Sequence, residues 1–327
     1  MSSEISEEGN GDTLASSFQI LSLDGGGIRG LFSAAVLAKW EEDLECTIQN
    51  HFDLIVGTST GGIIALGLGL GMRPREIVEF YLSQGSRIFP NRIPGHRAFR
   101  QFFAHKFSAE PLQAALKQCF GDKLLGHSKK RLVIPSYDLG QEEVRVFKTS
   151  HHERLRRDFK EPIWKVALAT TAAPTYFPAC REIENRRLID GGIWANNPIM
   201  TAVTEAVAVL KIPLENLSVL SLGTASDIQS RNDGLDKGGL WQWKRDIAEV
   251  LMRAQSVAAT GQATLFLGQE KILRVDSIVA KGVFGLDKLT PDKLLAAASH
   301  QSLHRAPEIQ TRFLSHRAAE FRPCYAL

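Results

Sequence analysis

Between Leu54 and Gly62 the chain reads LIVGTSTGG, an apolar run that stops at a glycine, crosses a serine and resumes as a segment rich in glycine and alanine. No other stretch restricts the fold as much. A short continuous apolar run bounded by glycine is a strand buried on both faces. Such a strand needs a mostly parallel sheet with helices packed above and below it. Gly57 and Gly61, two places either side of Ser59, permit a sharp strand-to-helix break that crowding side chains would forbid.

The rest of the chain keeps this rhythm. Phe18 to Leu23 reads as a strand that ends at three glycines, and LFSAAVLAKWEEDLE follows with apolar residues at helical spacing. RPREIVEFYLSQGSRIF is a helix with Pro74 in its first turn. RLVIPSYD and EEVRVFKT read as adjacent strands, EPIWKVALATTAAPTYFPA as a helix ending before Pro174, and RRLIDGG as a short strand and turn. NPIMTAVTEAVAVL is a helix and NLSVLSLGT another buried strand; beyond Gly239 the pattern is mainly helical around one strand, KILRVD. This alternation predicts one α/β domain over residues 17–327, preceded by an acidic, polar tail, 1–16, expected to be disordered. Within it, the stretch 225–327 is expected to be helical. Pro90 to Lys106 has no clean period, mixes arginine with phenylalanine, and is expected to cross the surface.

Composition removes several function classes. A 327-residue chain with 44% hydrophobic and 23% charged residues is ordinary globular material, and a formal charge of +3 is too small for a DNA- or RNA-binding protein. Cys46, Cys119, Cys180 and Cys324 are scattered without a CxxC pair, which argues against structural zinc or a disulfide scaffold and favours a reducing, cytoplasmic setting. No metal motif of the H-E-x-x-H or EF-hand type is present, so no metal and no cofactor are expected. The apolar run GGIIALGLGLG is too short to span a bilayer, so membrane contact is expected to be peripheral.

Two glycine turns carry the chemistry. GTSTG fits the nucleophile-elbow pattern G-x-S-x-G, with a strand before it and a helix after it, against the alternative of an ordinary helix cap. DGGGIRG, Asp24 to Gly30, ends the first strand. It meets the dinucleotide fingerprint only loosely, through Gly25, Gly27 and Gly30; a nest of backbone N–H groups for an anion fits it better. A serine nucleophile needs a proton acceptor. The nine histidines offer little: His51 precedes its strand and belongs at the far edge of the sheet, while His151 and His152 lie in a charged run and are expected to be solvated. His300 and His304 share a helix face and are the first histidine candidates. Asp190 competes, because Gly191 and Gly192 after it leave its carboxylate uncrowded and exposed at a turn, although Asp-Gly is also a common turn pair.

Four motifs in order, DGGGIRG at 24–30, GTSTGG at 57–62, ATTAAPTYFP at 169–178 and DGG at 190–192 with NNP at 196–198, make the chain resemble the patatin-like phospholipases. The resemblance runs from about Phe18 to about Thr224. It implies a three-layer α/β/α fold and a Ser–Asp dyad, with Ser59 as nucleophile and Asp190 as base, and no histidine. It also implies an oxyanion hole from Gly25, Gly26 and Gly27, shaped by Arg29, with Gly57, Gly61, Gly191 and Gly192 in support. The substrates implied are fatty-acyl esters of glycerophospholipids at a membrane surface, met from the inner face. The overall arrangement further resembles bacterial phospholipase effectors of anti-phage signalling, which implies a cyclic dinucleotide activator and leaves a homodimer open. A constitutive housekeeping hydrolase and an inactive, hydrolase-like nucleotide-binding or interaction protein are the alternatives.

Overall fold

The computed structural model describes residues 17–90, 105–227, 236–239, 243, 247–279 and 290–327. The N-terminal tail and most of the excursion between Pro90 and Lys106 lie outside the described residues, as does His96.

The first strand, β1 (Phe18–Leu23), is followed by α1 (Gly30–Asp43), then β2 (Leu54–Gly57), α2 (Thr60–Leu70) and α3 (Pro74–Ile88). Next come α4 (Glu110–Phe120), the hairpin strands β3 (Arg131–Asp138) and β4 (Glu143–Lys148), α5 (Ile163–Thr170) and β5 (Leu188–Asp190). The short helices α6 (Gly192–Ala195) and α7 (Ile199–Thr204) lead into β6 (Leu217–Leu222) and β7 (Ser226–Asp227). The chain closes with α8 (Ile247–Leu267), β8 (Ile272–Val275), β9 (Ile278–Val279) and α9 (Pro291–Arg312). The stretch after residue 225, expected to be helical around the strand KILRVD, places that strand in the central sheet as β8. β8 is paired along β6, and its apolar side chains are buried.

The main sheet runs β4-β3-β2-β1-β6-β8, with β5 also on β3. β2, β1, β6 and β8 are parallel, as is the β2–β3 pair; only β4 and β5 run against β3. Side-chain alternation along β1 explains the layering. Leu21 and Leu23 enter a core shared with α1, α2, α3 and α9, whereas Phe18 and Ile20 enter a second core with Ile199, Val203, Ala259 and Ala263 from α7 and α8. Each face of the sheet is covered. On the first face α1 packs between α3 and α9, and Trp40 Nε1 donates to the Ser302 carbonyl at 3.1 Å.

Register then sets the site. Leu23 of β1 lies level with Gly57 of β2, so the loops that begin at Asp24 and Thr58 leave the sheet side by side. Ser136 of β3 lies level with Asp190, which brings the end of β5 to the same edge. This is where open α/β sheets bind ligands, at the carboxyl ends of parallel strands.

Candidate active site

Ser59 stands between β2 and α2 with φ 56° and ψ −123°, a conformation that costs a side chain roughly 1–3 kcal/mol. Its surroundings hold it there. The Ser59 N–H donates to Thr170 Oγ1 at 2.9 Å, and that hydroxyl donates in turn to the Pro135 carbonyl at 2.6 Å. Thr58 Oγ1 donates to the Ala195 carbonyl at 2.6 Å. A Cβ at Gly57 would collide with the Gly61 carbonyl, and one at Gly61 with the Leu23 carbonyl, so close backbone approach dictates both glycines.

Ser59 Oγ donates to Asp190 Oδ2 at 2.7 Å. The other carboxylate oxygen, Oδ1, accepts the Gly192 N–H at 2.7 Å. Asp190 is not exposed, as its glycine-flanked turn suggested: it is 3% accessible. β5 pairs with β3 inside the sheet, and the turn folds inward against Pro135 instead of outward. Burial raises its pKa to about 6, opposed by the hydrogen bonds from Ser59 and Gly192. A hydroxyl bonded to a carboxylate of that basicity, in a cleft, is an arrangement suited to proton transfer.

The histidines go elsewhere. His51 Nδ1 meets the His316 carbonyl at 2.7 Å, and the exposed His300 and His304 rings lie 3.1 Å apart, Nε2 to Nε2. His151, expected to be solvated, is buried. Its Nε2 lies 2.9 Å from Glu205 Oε1, and Thr149 Oγ1 lies 2.9 Å from Nδ1. The charged run around it is the solvated part; its own imidazole turns inward to a carboxylate that Lys148 also contacts at 2.5 Å. Among the described residues no histidine bonds to Ser59 or Asp190.

The glycine loop faces Ser59. The Gly25 N–H is already donated to the Asn196 carbonyl at 2.9 Å, so Gly25 is removed from the expected set of anion donors. The N–H groups of Gly26 and Gly27 have no such partner among the described residues; Gly27, at φ 59°, makes the turn. Arg29 Nε donates to the Gly26 carbonyl and its Nη1 to the Ala225 carbonyl, both at 3.3 Å, tying the loop to the segment that follows β6. Thr224 Oγ1 donates to the Gly25 carbonyl at 3.2 Å.

Three groups here escaped the sequence reading. Arg274 on β8 forks onto Asp24, with Nη1 to Oδ1 at 2.9 Å and Nη2 to Oδ2 at 2.6 Å, and also meets Ser221 and Asp276. Burial lifts the Asp24 pKa to about 6 while Arg274 pulls it down. Nothing local in ILRVD announces this, because the partner is 250 residues away. Asn196 and Asn197, noticed only as the NNP motif, clamp α8: Asn196 Nδ2 donates to Ser256 Oγ at 3.1 Å, and Asn197 Nδ2 donates to Thr260 Oγ1 at 2.9 Å. Thr170, within ATTAAPTYFP, carried no assigned role.

Ser59 and Asp190 open into a cavity of about 720 Å³ whose walls include Ile28, Ile63, Ile88, Phe89, Leu112 and Phe177. The surface it exposes is mostly apolar, with polar side chains among its lining, which is the anatomy of a small-molecule site. No helix among the described residues is long and apolar enough to cross a membrane.

A serine raised on a strand-to-helix turn and bonded to a carboxylate beside a glycine loop is a hydrolase constellation. The chain belongs to the patatin-like phospholipase family, whose profile matches residues 21–203. Its sequence is 33% identical over 279 residues to a "cGAMP-activated phospholipase" of Pseudomonas aeruginosa, spanning 84% of this chain and 80% of that protein. A Vibrio cholerae protein of the same name is 32% identical over 254 residues, 70% of this chain and 71% of its own. "Patatin-like protein 4" of Arabidopsis thaliana is 31% identical over 238 residues, 63% of this chain and 59% of its own.

Proposed function

We propose that this chain cleaves fatty-acyl esters of glycerophospholipids by a Ser59–Asp190 dyad, through an acyl-enzyme and without metal or cofactor. The observation that carries the reading is the 2.7 Å hydrogen bond from Ser59 Oγ to a buried Asp190, both lining a largely apolar cavity. In the first half-reaction Ser59 Oγ attacks the ester carbonyl carbon as its proton passes to Asp190 Oδ2. The oxyanion so formed is met by the N–H groups of Gly26 and Gly27; each such donor is worth about 3 kcal/mol in the transition state. The C–O bond then breaks, and Asp190 returns the proton to the departing alcohol or lysophospholipid. Water, deprotonated by Asp190 in the second half, releases the fatty acid and restores Ser59.

The surroundings of the cavity support action at a lipid surface. Ile193, Ile247, Leu251 and Val257 line it and are each at least 44% exposed, an apolar rim through which a bilayer lipid can enter. Peripheral attachment to the inner face of the membrane is part of the proposal. So is activation by a cyclic dinucleotide, which is supported by the names of the Pseudomonas and Vibrio relatives. A chain that hydrolyses the lipids around it has reason to be held inactive until signalled.

One assay tests both levels: fatty-acid release from mixed phospholipid vesicles, with and without a panel of cyclic di- and trinucleotides, beside labelling of Ser59 by a fluorophosphonate. Labelling and nucleotide-dependent release are expected. High release that ignores the panel leaves a constitutive acyl hydrolase and removes the gating. No labelling and no release under any condition removes the enzyme and leaves an inactive binding protein.

A further inference from the structure

Beside the substrate cavity lies a second, smaller one of about 160 Å³, and the two share only Leu112 and Phe177 among their lining residues. On its other sides the small cavity is bounded by Leu168, Ala172, Pro178 and Cys180, and it reaches the surface beside Arg181 and Glu182. Phe177 and Leu112 are buried, 7% and 4% accessible, and each lines both cavities.

The partition is rigid. The Phe177 ring centroid lies 5.8 Å from that of Phe89 and 5.9 Å from that of Phe107, and those two are edge-to-face at 5.6 Å. The backbone is fixed as well: the Phe177 N–H donates to the Ala173 carbonyl at 2.9 Å, and the Phe107 N–H donates to the Tyr176 carbonyl at 2.8 Å. A ring held by two others does not swing aside at little cost.

Resting on the acyl-ester reading given above, we infer that Phe177, backed by Leu112, is the stop that sets the length of acyl chain the substrate cavity accepts. An acyl chain bound with its carbonyl at Ser59 runs along the apolar lining and ends against this partition. Beyond it lies apolar space of the right character, closed off by one ring and one isobutyl group. Methylenes that cannot be housed are expelled or bent into water, and each one gained or lost in an apolar pocket changes kcat/KM by about 10-fold or more.

The test is a series of p-nitrophenyl esters from butyrate to palmitate, read as the ratio of kcat/KM for palmitate to that for butyrate. Phe177→Ala is expected to raise this ratio by at least about 10-fold, and Leu112→Ala in the same direction by less. Leu168 lines only the small cavity, so adding Leu168→Phe to Phe177→Ala should refill that space and return the ratio toward wild type. Fluorophosphonate labelling of Ser59 and a cooperative thermal melt identify the variants that fold. An unchanged ratio in both folded single variants overturns the partition while leaving the dyad standing. A raised ratio that Leu168→Phe does not reverse overturns it too, because the gain then comes from a loosened substrate cavity. Wild-type protein that takes no label and cleaves no ester of the series fails at the dyad, and the partition fails with it.

Discussion

An aspartate in water titrates near 3.9 and is a weak base for a serine alcohol. Asp190 titrates at about 6 because the sheet edge buries it, and its two hydrogen bonds only partly offset that burial. The acid limb of kcat/KM is therefore expected near pH 6, not near 4, measured on a soluble ester so that vesicle charge plays no part. Asp190→Asn keeps the shape and removes the acceptor; activity should fall at least 10²-fold, while His300→Ala and His304→Ala leave it within about twofold. The same shift bears on stability. The folded pKa lies above the unfolded one, so the stabilisation from protonating Asp190 is full below about pH 4, falls between pH 4 and 6, and is lost as pH rises through 6. At pH 7.5 the ionised, buried carboxylate costs the fold on the order of 3 kcal/mol. Asp190→Asn should accordingly raise the melting temperature at pH 7.5 and change it little below pH 4. At this scale the sequence was most informative where residues cluster. Ser59 is legible because its glycines flank it, and Asp190 because Gly191 and Gly192 follow it. Its burial was not, because that depends on pairing with β3 more than fifty positions upstream.

Helices α1 to α3 could be read directly, since each either buries one face at helical spacing or is apolar throughout. The element after α7 could not. TEAVAVL has the pattern of a plain helix, yet the chain opens into a π-turn over Glu205–Val209 as the Glu205 carboxylate reaches inward to His151 and Lys148. That partnership is between distant segments and leaves no local mark. The clamp on α8 is of the same kind. Asn197 donates to Thr260 Oγ1, its own Oδ1 accepts the Ile199 N–H at 3.1 Å, and its backbone N–H and carbonyl are both met by Gln255. Removing a buried amide that satisfies several partners costs about 1–3 kcal/mol. Asn197→Ala should lower the melting temperature and also reduce kcat, because Asn196 beside it holds the Gly25 N–H and hence the glycine loop. A differential scanning melt and initial rates on one preparation check both. A melt that drops while kcat stays fixed would separate the clamp from the loop.

At the scale of the whole molecule, the motifs end near Thr224, but the interactions that complete the site do not. β8 covers the edge of β6, Arg274 neutralises the buried Asp24, and Leu294, Ala298, Ile309 and Phe313 of the last hundred residues belong to the larger core. A fragment ending at Thr224 would expose that core and leave Asp24 without its guanidinium, an uncompensated charge worth several kcal/mol. We expect it to lack a cooperative melt and to be digested rapidly by trypsin, whereas the full chain resists; a compact, protected fragment would mean that the two parts fold separately. The buried carboxylate at position 190 reaches further than catalysis. In a library of variants selected only for surviving heat at neutral pH, asparagine at 190 should rise in frequency although, on the proposed mechanism, it disables the enzyme. Selection for lipid cleavage must then act continually against it. A lineage that drifts free of that selection has a single-nucleotide route to a sturdier, silent protein, and the persistence of aspartate becomes a record of use.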